Sequence, residues 1–119
     1  MSLLALLIQM PSLPAWDVMP PLRLRQERRV SPASHQFVGG EVTRGRCGKP
    51  PPAPRLAVDV ALLVTPRDTV VASVPRAIAC PTIEQYAAGL AISWARGNLA
   101  PRAPRIGWYR VRVEFDWTR

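Results

Sequence analysis

The sequence is poor in the residues that build metal and catalytic sites. Its 119 residues include one histidine, His35, one lysine, Lys49, and two cysteines, Cys47 and Cys80. Zinc sites made of histidine and cysteine hold their ligands in close pairs, and these residues are isolated. We therefore predict no metal ion and no cofactor. We favour reduced, structural thiols, although spacing alone leaves open whether the two cysteines pair.

Motifs for phosphate binding and catalysis are also absent. Residues 45–49, GRCGK, resemble the end of a P-loop, but Thr43 stands where the first glycine belongs and Pro50 follows the lysine. The segment does not fit the dinucleotide-binding pattern either. No motif pairs His35 with a nucleophile, and a lone histidine among serine and glutamine is typical of a polar surface. We predict that the chain is not an enzyme.

Acidic residues are scarce. Eight of them face sixteen basic residues, which gives a formal charge of +8, and fifteen of the basic residues are arginine. This balance favours a polyanionic partner, although a GC-rich genome would also enrich arginine. Phosphate contacts need little more than accessible cations. The candidate phosphate contacts are Arg23, Arg25, Arg28, Arg29, Arg44 and Arg46.

Long hydrophobic runs are missing, while proline is abundant. The apolar run over residues 3–8 is too short to span a bilayer, and the fourteen prolines interrupt residues 11–21 and 48–54. We predict an extended arm over residues 1–21 and one domain over 22–119, with a proline-rich loop at 48–54. The apolar run packs on its own domain or docks on a neighbouring subunit. The candidate docking residues are Leu3, Leu4, Leu6, Leu7, Ile8 and Trp16.

A capped amphipathic helix is predicted over residues 83–96. Thr82 is a suitable N-cap, Gln85 completes a capping box, and Gly97 is a stop signal. Apolar residues recur at helical spacing, which indicates one buried stripe. The stripe contains Ile83, Tyr86, Ala87, Leu90, Ala91 and Trp94.

A two-faced strand is predicted after the helix, because apolar and polar residues alternate strictly. Tyr109, Val111, Val113, Phe115 and Trp117 fall on one face. Trp108, Arg110, Arg112, Glu114 and Asp116 fall on the other, which we interpret as a solvated face of mixed charge.

A hairpin is predicted in the middle of the chain. Residues 55–65 are apolar on both faces, which is typical of a central strand, and Asp59 is interpreted as a hydrogen-bonded carboxylate. Pro66 favours a type I turn, and residues 69–74 return as a strand. Weaker signals predict strands over 22–30 and 36–44, the second with a bulge at two glycines. The expected fold is α+β, with a mostly antiparallel sheet of four to five strands, one helix and proline-rich arms.

One family resemblance involves the same region. PTIE at residues 81–84, followed by YRVRV at 109–113, is similar to the C-terminal part of the pyruvoyl-tetrahydropterin synthase family, over about a third of the chain. The resemblance implies that Glu84 would hold a pterin. The family's zinc site needs three histidines, and its late glutamate would fall at Phe115, with Glu114 on the opposite face. The implied protein is a degenerate domain of that type, with the activity lost.

The first hypothesis for function is a non-enzymatic structural or assembly subunit of a larger complex, such as a head–tail or tail-end component of a virion. Its basis is a small domain with an apolar N-terminal run and proline-rich segments that could wrap other subunits in a homo- or hetero-oligomer. The alternatives are an arginine-rich nucleic-acid-binding module or ribonucleoprotein subunit, and the degenerate pterin-synthase-like domain. We expect it in the cytoplasm or within an assembled particle, without a transmembrane segment and not secreted.

Overall fold

The computed structural model describes residues 12–67, 69–101 and 106–118. A 3-10 helix at Trp16–Val18 precedes α1 (Pro32–Thr43), β1 (Arg55–Thr65), β2 (Thr69–Pro75), α2 (Pro81–Ala95) and β3 (Gly107–Asp116). The predicted docking residues Leu3, Leu4, Leu6, Leu7 and Ile8 lie outside the described residues. Neither α-helix in the described part is long and apolar enough to cross a membrane.

The sheet is antiparallel with strand order β2-β1-β3. The predicted hairpin and the central place of β1 are therefore confirmed, as is the α+β class. The described residues form three strands rather than the four to five expected, and two α-helices rather than one. Arg67 in the hairpin turn has a φ of 73°, which is typical of a type II turn, so the type I prediction is wrong.

The strand predicted over residues 36–44 is wrong, because this segment is helix α1. Ser31 caps the helix, its Oγ accepting a hydrogen bond from the Ser34 amide, and Pro32 occupies the first turn. The expected bulge at Gly39 is also absent. A Cβ added there would lie 2.5 Å from Cγ of Trp117, so the missing side chain lets α1 approach the end of the chain closely.

The strand predicted over 22–30 is also wrong. Residues 20–30, which we call the strap, begin at the open edge of β3, and their only β-pairing within the described part of the chain is two isolated bridges, Pro21 with Arg110 and Leu24 with Leu99. The Leu22 amide donates to the Arg110 carbonyl, and the Arg110 amide donates to the Pro20 carbonyl, both at 2.9 Å. The Asn98 side chain then accepts from the Gln26 amide and donates to the Gln26 carbonyl. A few anchors thus hold an extended segment that forms no ladder.

Helix α2 packs its predicted stripe against the sheet, with Ile83, Ala87 and Ala91 buried. The N-cap position is Cys80 rather than the predicted Thr82, and it has no side-chain cap. Gly97, with a φ of 66°, follows the C-terminus as predicted.

A second, smaller core lies on the opposite face of the sheet. Met19, Leu63 and Trp108 are buried there, with Trp16 packed against them. Trp108 is 8% exposed, so the prediction that it lies on a solvated face is wrong. Trp16 and Met19 cover this part of the sheet, and local alternation within β3 cannot reveal a cover from so distant a part of the chain.

Cys47 and Cys80 form a disulfide, with Cα atoms 4.4 Å apart. The preference for reduced thiols is therefore wrong. The bond joins the loop after α1 to Cys80, the N-cap residue of α2, and both cysteines are buried. The two positions are 33 residues apart, so only the tertiary structure could bring them together.

Candidate functional site

The six candidate arginines separate into two groups. Arg44 and Arg46 both pair with Glu41, at 3.3 and 3.9 Å. The Glu41 side chain is only 7% exposed, and a carboxylate so deeply buried needs a cationic partner. These two arginines therefore have a structural role, which makes them poorer candidates for a ligand.

The other four arginines lie on the strap and have no such partner. Arg23, Arg25, Arg28 and Arg29 are exposed, and no carboxylate of the described residues lies within 4.0 Å of their guanidinium groups. Arg110, on the neighbouring edge of β3, is half-buried, and its guanidinium group also has no carboxylate of the described residues within 4.0 Å. Sequence reasoning did not select Arg110, because its strand also carries acidic residues. The hydrogen bonds of Arg110 with Pro20 and Leu22 bring it to the start of the strap, where it lines the same cavity as Arg23 and Arg28.

A groove follows the line where the strap meets β3, and we call it the strap groove. Two adjoining cavities form it, of about 570 and 550 Å³. Glu27, Arg28, Trp94 and Arg112 line both cavities, which makes them parts of one depression. The strap supplies one wall, the edge of β3 supplies the other, and α2 contributes Trp94.

The two ends of the strap groove differ in charge. Near the start of the strap, four arginines face one glutamate; these are Arg23, Arg28, Arg110, Arg112 and Glu27. Near the start of α1, three arginines face three carboxylates; these are Arg28, Arg29, Arg112, Glu27, Glu114 and Asp116. We call the first the basic end and the second the balanced end. The basic end suits an anion, whereas the balanced end suits a neutral polar group.

Arg112 forms ion pairs with two carboxylates on the outer face of the sheet. Its guanidinium lies 3.5 Å from Asp59 and 3.1 Å from Glu114, while Arg76 approaches Asp59 at 3.6 Å. Asp59 is thus the hydrogen-bonded carboxylate that the sequence predicts. Arg76 also lies 5.7 Å from the ring centroid of Trp16, which places Trp16 on its own domain. Docking of Trp16 on a partner stays a prediction.

His35 joins the start of α1 to the end of β3. Its Nδ1 accepts a hydrogen bond of 2.9 Å from the Asp116 amide, so this nitrogen carries no proton. The Asp116 carboxylate accepts from the hydroxyl and the amide of Thr118, and these bonds hold its pKa below its ordinary value. The hydrogen bond of His35 joins α1 to β3 at the balanced end of the groove.

Glu84, which the pterin-synthase resemblance implies as a ligand residue, contacts its own chain. Its carboxylate accepts hydrogen bonds from the Ile78 and Cys80 amides, at 2.8 and 3.0 Å. Phe115, at the position of the family's late glutamate, is 1% exposed in the core. The described residues contain no group of three potential metal ligands. A pterin-binding role for Glu84 stays a prediction.

No protein-family model, curated protein or solved structure matches this chain.

Proposed function

We propose that this chain is a non-enzymatic nucleic-acid-binding protein that uses the strap. The observation that carries this proposal is the set of exposed strap arginines without carboxylate partners. Arg23, Arg25, Arg28 and Arg29 lie within seven residues, with Arg110 on the adjacent edge of β3. Cations without protein partners are free to bind phosphates, and each phosphate neutralised releases bound counterions.

Anchoring of the strap strengthens this reading. The Arg25 amide donates to the Asn98 carbonyl at 2.6 Å, and the Leu22 and Gln26 amides are also hydrogen-bonded. The strap backbone is therefore held before any ligand arrives. A site that is ordered in advance loses less conformational entropy on binding than a flexible arginine-rich tail does.

The test is the salt dependence of binding to a labelled oligonucleotide, measured by fluorescence anisotropy between about 50 and 200 mM salt. The double variant Arg28→Ala, Arg29→Ala should weaken binding and lower the slope of log affinity against log salt by about 2. The matched control is Arg67→Ala, Arg96→Ala, which removes the same charge from exposed positions that do not line the groove. An equal loss of affinity in both double variants, or no binding of the unmodified protein at low salt, would contradict the proposal.

A second candidate function is the assembly subunit, and exposed apolar residues near Trp16 favour it. Leu13 and Val18 are 38% and 66% exposed on either side of that residue. Apolar side chains grouped around an aromatic anchor suit contact with another protein. A virion component or a ribonucleoprotein subunit would combine this contact with nucleic-acid binding.

Removal of residues 1–14 tests the assembly role, because it leaves Trp16 and the strap in place. We expect the shortened chain to form particles with fewer subunits than the full chain, with the number taken as the native mass from light scattering divided by the subunit mass. An unchanged number of subunits, together with unchanged thermal unfolding, would argue against a docking role for the N-terminal residues.

A further inference from the structure

We infer that the strap groove takes single-stranded nucleic acid, with phosphates at the basic end and an unpaired base at the balanced end. This inference rests on the proposed nucleic-acid function and names the form of nucleic acid that the site selects. Three features of the groove carry it: the uneven charge along its length, the main-chain groups on its β3 wall, and the aromatic side chain that lines both cavities.

The charge distribution separates the two parts of a nucleotide. At the basic end, Arg23, Arg28 and Arg110 have no carboxylate within 4.0 Å among the described residues, and Glu27 is the one carboxylate residue that lines this end. The fourth arginine there, Arg112, is already paired with Asp59 and Glu114. At the balanced end, the carboxylates of Glu114 and Asp116 would repel a phosphate. A base is uncharged, and carboxylates accept hydrogen bonds from exocyclic amino groups such as that of cytosine. The groove therefore favours a phosphate at one end and a base at the other.

The edge of β3 adds main-chain groups to the balanced end. Arg110 uses its amide and carbonyl to hold the strap, and the Asp116 amide bonds His35. Outward-facing groups alternate along a strand, so Arg112 and Glu114 turn their amides and carbonyls towards the same edge. Beyond the bridge at Arg110, no strand in the described part of the chain pairs with β3 on this side. These donors and acceptors can contact the edge of a base.

Trp94 supplies an aromatic surface at the junction of the two ends. It is half-buried and lines both cavities of the groove. Every base has a face that can stack on an aromatic ring, and such stacking stabilises single-strand complexes. A duplex keeps its bases paired and stacked, so it would offer this groove little besides phosphates and sugars.

The experiment compares three labelled ligands on the unmodified full chain: a short deoxycytidine strand, a strand of equal length made of abasic residues, and a duplex of the same length. We expect the deoxycytidine strand to bind at least about tenfold more tightly than either of the others. The stacking of a single base on an aromatic ring is enough to produce a difference of this size. In an amide NMR spectrum, the Arg112 and Glu114 resonances should shift with the deoxycytidine strand and stay in place with the abasic strand.

The outcomes separate the inference from the proposed function. Salt-sensitive binding of equal strength for all three ligands, without movement of the Arg112 and Glu114 amides, overturns the inference and leaves a phosphate-binding protein. Absence of salt-sensitive binding for every ligand overturns the proposed function as well. Polyglutamate that binds as tightly as the deoxycytidine strand would identify an acidic protein as the partner instead.

Discussion

Two glycines inside helices show how the neighbourhood of a single residue decides its role. Gly39 in α1 lies against the Trp117 ring, where an added Cβ would meet side-chain carbons at 2.5 to 2.8 Å. Gly89 in α2 is exposed, and apart from its chain neighbours and the backbone of its own helix no atom lies within 4 Å of such a Cβ. From the sequence we predict a strand bulge at Gly39, whereas Gly89 lies inside the predicted helix, where glycine is unfavourable. In the structure, only the position of Gly39 requires a residue without a Cβ.

We expect Gly39→Ala and Gly89→Ala to change stability in opposite directions. Gly89→Ala should stabilise the protein by roughly 0.5–1 kcal/mol, because alanine favours the helix and meets nothing. Gly39→Ala should destabilise it by about 1–3 kcal/mol, because the ring of Trp117 must move. Chemical denaturation of the two variants measures both changes, and stabilisation by Gly39→Ala would show that α1 does not pack on Trp117.

Asp116 should titrate at a lower pH than an ordinary aspartate. The hydroxyl and amide of Thr118 donate hydrogen bonds to its ionised form, which lowers the pKa in the folded state. The resulting stabilisation is present above the pKa of the unfolded chain and is lost as the pH falls through the folded pKa. A carboxyl-detected NMR titration measures the effect. Thr118→Val should raise the pKa of Asp116, and an unchanged pKa would exclude the hydroxyl contact.

At the scale of elements, the start of α2 depends on Glu84. No cap comes from the Cys80 side chain, and the Glu84 carboxylate instead accepts hydrogen bonds from the Ile78 and Cys80 amides. A carboxylate in the first turn also interacts favourably with the positive end of the helix dipole. The sequence points to a cap at this helix, but it indicates Thr82 and Gln85 as the residues that form it.

Glu84→Ala should destabilise the protein by roughly 1–3 kcal/mol, because two amides lose their acceptor. Gln85→Ala is the matched control, since Gln85 is exposed on the same turn and alanine is a good helix former. Thermal unfolding of the two variants distinguishes the caps. A larger loss of stability in Gln85→Ala than in Glu84→Ala would contradict this role of Glu84 and support the capping box that the sequence predicts.

The strand edges are protected by different means. The strap covers β3 as far as Arg110, while β2 carries an irregularity in its pairing with β1 that leaves Val71 exposed at the other edge. A bulge of this kind discourages pairing with another chain. The remaining edge of β3 faces the strap groove, which places its main-chain groups where a ligand can reach them.

At the scale of the whole molecule, distant segments are joined by a few contacts outside the sheet. The disulfide ties Cys47 to Cys80, and Asn98 ties the end of α2 to the strap. Both contacts hold segments that have little regular structure of their own. The proline-rich loop over 48–54 therefore begins directly after Cys47, which the disulfide holds in place.

The double variant Cys47→Ser, Cys80→Ser should lower the free energy of unfolding by about 3–4 kcal/mol, since the bond closes a long loop in the unfolded chain. Nucleic-acid binding should persist at temperatures where the variant is folded, because neither cysteine lines the strap groove. Urea denaturation with and without reductant provides the measurement. Equal stability of the two proteins in oxidising buffer would exclude a disulfide.

Local patterns predicted much of the fold. The apolar residues on both faces of 55–65 placed β1, the alternation over 109–117 placed β3, and helical spacing placed the buried stripe of α2. Helix α1 was not found, because its two glycines are usual in turns and its apolar residues form no clear stripe. Arg110 was not selected either, since it contributes to a site only after the strap has bonded to it.

The sequence by itself determined the α+β class, the central hairpin, the helix that packs on it and the excess of arginine. Each of these follows from residues that are close in the chain, where periodicity and turn chemistry act. Only the tertiary structure decided which arginines are paired with carboxylates, which cysteines are joined and where the strap lies. Those features depend on contacts between residues far apart in the chain, such as Pro20 with Arg110 and His35 with Asp116, and no local pattern encodes such distances.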